Sequence, residues 1–203
     1  MPAAALYSAP DRVKVRSAMR LTIVRLELLA SAALLGAAAA WSRLRGLGLA
    51  AALGPAAEPA ALGVAAGLAL AATLPLVTAP WARRALLLRG LRRAWDALES
   101  GLGPSLGRVE VLVLAVCSAV SEEAFFRGVL QPEIGLVPAS ALFGLLHPLG
   151  LAYVVWAMAV GAGLGALFAA TGSLVAPIAA HGTYNLVALA YLRRRSSRQE
   201  ELR

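Results

Sequence analysis

Strongly polar residues stand at three places in otherwise apolar stretches of this chain. The first is Ser121-Glu122-Glu123-Ala124-Phe125-Phe126-Arg127-Gly128, the second Phe143-Gly144-Leu145-Leu146-His147, the third His181-Gly182-Thr183-Tyr184-Asn185. Both histidines of the protein belong to this set. On a helix, residues four apart stack on one face, so Glu123 can pair with Arg127, and His181 with Asn185 presents an imidazole and an amide together. Glu122 is turned about 100° from Glu123 and is left to point elsewhere. One carboxylate, two imidazoles and an amide from three helices are the parts for hydrolysis. They offer a base to take a proton from water and donors for a developing oxyanion. A single Glu-Arg pair is often only a clamp, and a single buried His often only bonds across helices. Two adjacent carboxylates, however, exceed what one Arg can neutralise, and such an excess is more typical of sites than of scaffolds.

These residues need helices to carry them, and the composition says where those helices lie. The 203 residues include 46 Ala and 39 Leu, the mean hydropathy is +0.73 and only 15% of residues are charged. A soluble domain of this length has no interior able to hide that much apolar surface. The chain is predicted to be an all-α integral membrane protein. Its net charge of +8 does not indicate nucleic acid, because the 18 Arg and one Lys sit in short blocks between apolar runs. Basic blocks at span ends follow from topology and anionic lipid. Cys117 is the only cysteine, so no intramolecular disulfide can form.

Six apolar runs are expected to span: 21–41, 60–79, 109–130, 136–147, 151–170 and 174–192. The fourth, at twelve residues, is short enough to be re-entrant on length alone. With six spans, fifteen of the nineteen basic residues fall on one side, which the positive-inside rule makes cytoplasmic. This count includes Arg12, Lys14, Arg16 and Arg20, the Arg83–Arg108 block and the Arg193-Arg194-Arg195 tail. Both termini are then cytoplasmic. Arg25 and Glu27 are read as lying within about one turn of the membrane edge, with no functional role. The segment Arg83–Arg108, with Leu88, Leu91, Trp95 and Leu98 at helical spacing, reads as one basic amphipathic helix on the cytoplasmic interface. In the fifth span Ala157, Gly161, Gly165 and Ala169 recur every four residues and suit close helix packing. The chain divides into an N-terminal part (1–108), a core carrying the polar motifs (109–192) and a basic tail (193–203).

The ordered triple Glu122-Glu123-x-x-x-Arg127-Gly128, Phe143-x-x-x-His147 and His181-x-x-x-Asn185 resembles the three-motif signature of the CPBP family. These are the CAAX proteases and bacteriocin-processing enzymes, intramembrane endopeptidases also called Abi proteins. The likeness covers roughly residues 109–192 and implies roles residue by residue. Glu122 corresponds to the base that activates water together with His147. His181 and Asn185 correspond to the pair that steadies the oxyanion, with Glu123, Arg127 and Phe143 in support. The resemblance also allows zinc or another divalent metal held by Glu122, His147 and His181, a set that would leave a fourth position open. The same residues serve a metal-free mechanism.

The function expected on this basis is hydrolysis of a peptide bond in a membrane-associated protein or peptide. Its partners are the lipid bilayer and that substrate, with no nucleic acid. The alternative is a non-catalytic membrane scaffold or bacteriocin-immunity protein of the same family. A proton-relaying transporter is disfavoured, because the two halves of the chain show no matching charged segments. The Ala-, Leu- and Arg-rich composition points to a bacterial protein of the inner membrane.

Overall fold

The computed structural model of the protein describes residues 9–201 apart from 55 and 86–87, with side chains from residue 17 onward except that of residue 200. The side chains of Arg12, Lys14 and Arg16 lie outside the described residues. No strand occurs among the described residues, and the chain is a bundle of helices. They are α1 (Ala9–Arg45), α2 (Ala57–Ala71), α3 (Leu74–Thr78), α4 (Arg89–Gly101) and α5 (Arg108–Phe125). A π-helical turn (Phe126–Leu130) follows, then α6 (Gln131–Ile134), α7 (Leu136–Leu145), α8 (Leu151–Thr171) and α9 (Val175–Glu201).

Among the described residues, three helical segments are long and apolar enough to cross a membrane: Ser17–Arg45, Ala57–Thr78 and Leu151–Thr171. Helices α5 and α9 have comparable length but carry the polar motifs, which lower their hydropathy. Helix α7 has ten residues, about 15 Å at the helical rise and so half of a bilayer core. The fourth of the six expected spans is therefore a half-length helix. Helix α1 begins well before the apolar run that marked its expected start.

Packing follows small residues. Helix α2 lies along α9 with Gly63, Gly67 and Ala71 buried at the contact. A Cβ on Gly63 would run into the carbonyl of Ala176, and one on Gly67 into that of Ala180. Removal of that one atom lets two backbones touch, where dispersion and not hydrophobicity must hold helices together. The Gly-x-x-x-Gly spacing on α2 carries this signal in the sequence. Helix α5 is held between α1 and α9, and α7 lies against α8.

Each end of the bundle is clasped. At one end Arg45 Nε donates to Glu133 Oε1 at 3.0 Å, and the Leu174 amide donates to the Ala52 carbonyl at 2.8 Å. At the other, buried Glu99 on α4 accepts from Arg195 Nε at 3.1 Å and Gln199 Nε2 at 3.0 Å, both on α9. Arg92, also buried, donates to the Thr78 carbonyl and pairs with Asp96. The amphipathic segment is thus shorter than the 83–108 expected, and it does not rest its apolar face in lipid. Trp95 is buried, and Leu91 and Leu98 face the interior of the bundle.

Candidate active site

The last turn of α5, the end of α7 and the second turn of α9 bring the polar motifs to one place. Glu123 is fully buried. Its Oε1 accepts from Arg127 Nη1 at 3.0 Å and from His181 Nδ1 at 2.8 Å. Arg127 lies in the π-helical turn, and its Nη2 donates to the Gly161 carbonyl on α8 at 2.8 Å. One turn on, Gln131 Nε2 donates to the Gly165 carbonyl at 3.0 Å. The small residues of α8 thus expose two successive carbonyls to side chains from the next helix. At Gly161 a Cβ would stand 3.1 Å from Phe143 Cδ1 and 3.3 Å from Arg127 Nη2.

Phe143 stands at the middle of this knot and is itself buried. The Arg127 guanidinium carbon lies 4.6 Å from its ring centroid, within cation–π range. The rings of His147 and His181 lie 4.6 Å and 6.0 Å from the same centroid. One aromatic side chain so positions three functional groups, which the spacing Phe143-x-x-x-His147 could express only in part.

Glu122 has a different setting. It lines a cavity, and its buried Oε2, like that of Glu123, takes no hydrogen bond among the described residues. The group facing it is His147 Nε2, 3.8 Å away. The other ring nitrogen, Nδ1, is 2.7 Å from the Phe143 carbonyl. A carbonyl only accepts, so Nδ1 carries the hydrogen and Nε2 of the neutral ring offers a lone pair. Two acceptors cannot bond each other, and across 3.8 Å one water can donate to both.

Asn185, one turn beyond His181, donates Nδ2 to Ser118 Oγ at 3.1 Å and keeps a second N–H. His181 and Asn185 share the α9 face as expected, but His181 is tied to Glu123, a link absent from the sequence-based pairing. Glu122, His147, His181 and Asn185 all line one cavity of about 930 Å³, otherwise walled largely by apolar and aromatic side chains such as Tyr153, Trp156 and Tyr184. That volume suits a sizeable ligand.

One further point differs from the sequence-based expectation, and one bears on the metal that the resemblance left open. Glu27, given no role there, lines the same cavity. Glu122, His147 and His181 share the cavity but do not gather around a single point. Among the described residues no group of three or more His, Cys, Asp or Glu side chains forms a metal-ligand set. The His181 Nδ1 is taken by Glu123. That bond leaves His181 Nε2 open, as the Phe143 carbonyl leaves His147 Nε2 open, but as they stand the side chains are not gathered into a tetrahedral set.

Residues 104–187 match the protein family described as type II CAAX prenyl endopeptidase Rce1-like. Within the curated proteins, the uncharacterized protein YpbD of Bacillus subtilis (strain 168) is 38% identical over 74 residues, which is 35% of this chain and 39% of YpbD. The chain thus matches about two-fifths of that relative's length. No solved structure matches.

Proposed function

On the premise that residues 104–187 form an Rce1-like unit of the CPBP family, we propose that the protein is an intramembrane endopeptidase. It hydrolyses a peptide bond in a membrane-associated protein or peptide. The observation that carries this is the pair of Glu122 Oε2 and His147 Nε2 facing each other in the cavity, with the His147 tautomer set by the Phe143 carbonyl. A water held between them gives a proton to Glu122 as its oxygen attacks the carbonyl carbon of the peptide bond. The oxyanion that forms takes hydrogen bonds from the free N–H of Asn185 and from His181 Nε2, which carries a hydrogen in the imidazolium form. The proton taken by Glu122 then passes to the departing amine as the C–N bond breaks. Glu123 and Arg127 do no proton transfer in this scheme and hold His181 and α8 in place.

The test compares membrane peptides from cells with the intact protein, without it, and with Glu122→Gln. Products present only with the intact protein are expected. Product formation that survives Glu122→Gln would remove the base from the mechanism and favour the scaffold alternative. The basic blocks further support the bacterial inner membrane with both termini in the cytoplasm. In a Cys117→Ala background, cysteines at Ser197 and at Gly48 should label from opposite sides. Labelling from one side would reverse that assignment.

A further inference from the structure

Glu27 projects from α1 into the cavity that Glu122, His147 and His181 line. Its Oε1 accepts from Ser31 Oγ at 2.9 Å, and Ser31 Oγ accepts in turn from Ser121 Oγ at 3.1 Å. Ser31 and Ser121 are buried, so this relay of hydroxyls fixes the Glu27 carboxylate relative to the residue that precedes Glu122. Among the described residues, Glu27 takes no ion pair. The cation of the site, Arg127, is committed to Glu123 and to the Gly161 carbonyl, and His181 is committed to Glu123. A half-buried carboxylate with no ion pair among the described residues is open to a cation from outside the chain. The cavity that it lines suits one. Tyr153, Trp156 and Tyr184 offer aromatic faces that attract cations, and the remaining apolar lining accepts an aliphatic stem.

We infer that Glu27 is the specificity-determining anion of the cavity, binding an ammonium or guanidinium group of the membrane-associated peptide substrate. This deepens the endopeptidase reading and rests on it: Glu27 anchors the substrate by its charge while Glu122 and His147 act on the peptide bond. Glu27 takes no proton in the reaction and is a positioning residue.

Trp95 and Trp156 line the cavity and supply the readout. Quenching of their fluorescence by 11-bromoundecylammonium and by neutral 11-bromoundecanol, in uncharged maltoside micelles, compares two probes that differ only in charge. The intact protein should bind the ammonium about tenfold more tightly, and Glu27→Gln should reduce the preference to about twofold or less. Gln keeps the shape and the acceptor for Ser31. Equal binding of the two probes by the intact protein overturns the inference without recourse to any variant. So does a preference that survives in Glu27→Gln or that disappears in Glu122→Gln alone. Peptide probes then locate the charge. Loss of binding on acetylating the amino terminus assigns the α-ammonium, and loss on replacing Lys by norleucine assigns the side chain. Insensitivity to both changes defeats recognition of a peptide cation. Because binding is read without cleavage, failure of this inference is distinguishable from failure of the protease reading.

Discussion

Glu122 and Glu123 are neighbours in the chain and differ by about 100° around α5. Glu123 faces the knot, where Arg127, His181 and the Gly161 carbonyl form a closed set around Phe143. Glu122 faces the cavity, where its Oε2 has no bonded partner among the described residues and His147 Nε2 stands across a gap of 3.8 Å. Each carboxylate leaves its Oε2 without a hydrogen bond among the described residues, so the difference is one of placement: Glu123 gives Oε1 to two donors away from the cavity, and Glu122 lines the cavity beside His147. The π-helical turn begins three residues after this pair and carries Arg127 to α8, so the backbone itself is irregular where the two environments part.

The largest expected effect would break the comparison on its open side. Glu122→Gln should lower cleavage on the order of 10²–10⁴-fold with thermal stability in detergent unchanged or raised, since a costly buried charge is removed. Glu123→Gln should do the reverse and lower the melting temperature, because Arg127 loses its counter-charge. Equal loss of stability in the two variants would show that the carboxylates share one role.

Next, the closed side can be opened. Arg127→Ala leaves Glu123 buried without its guanidinium and should cost about 3–5 kcal/mol of stability, read by thermal melting in detergent. A melting temperature equal to that of the parent would mean that the knot does not hold the fold.

Asn185→Ala sharpens the assignment of the oxyanion donors. Loss of one donor should reduce the cleavage rate on the order of 10²–10³-fold with little change in stability. Its Ser118 contact is a single neutral bond, so a variant that melts much earlier would mark Asn185 as structural.

The smallest effect is at Gly161. A Cβ there presses on Phe143 and Arg127 at 3.1 and 3.3 Å, so Gly161→Ala should cost about 1–3 kcal/mol as the neighbours shift. Activity should fall in step with stability. A stable but inactive protein would place Gly161 with the open side.

Much of this arrangement is legible in local spacing. The Glu123–Arg127 pair, the helical apolar runs and the small-residue face of α8 all follow from residues three or four apart. What spacing cannot carry is a contact between distant parts. His181 meets Glu123 across 58 positions, and nothing around either residue names the other. Glu27 stands outside the three motifs, and its place on the cavity follows from the packing of α1 on α5, which no local spacing encodes. The amphipathic pattern of α4 is real, yet amphipathicity alone does not distinguish a lipid surface from the interior of a bundle. The clasp of Glu99 with Arg195 and Gln199, about a hundred residues away, turns that face inward. The π-helical turn has no counterpart in composition.

The half-length of α7 has one more consequence. Hydrolysis consumes a water for every bond cut, and hydrocarbon supplies almost none. A full-length helix at this position would shield its own peptide groups from end to end and seal the wall of the cavity. Helix α7 stops instead at Leu145, and residues 146–150 continue as irregular backbone directly beside His147. Such backbone is tolerated at membrane depth only where protein covers it or where it borders an aqueous space. The carbonyls at the end of a helix need partners, and those partners are polar. On the proposed endopeptidase reading, the short α7 leaves polar backbone at the gap between Glu122 and His147, where the water that hydrolysis consumes would enter.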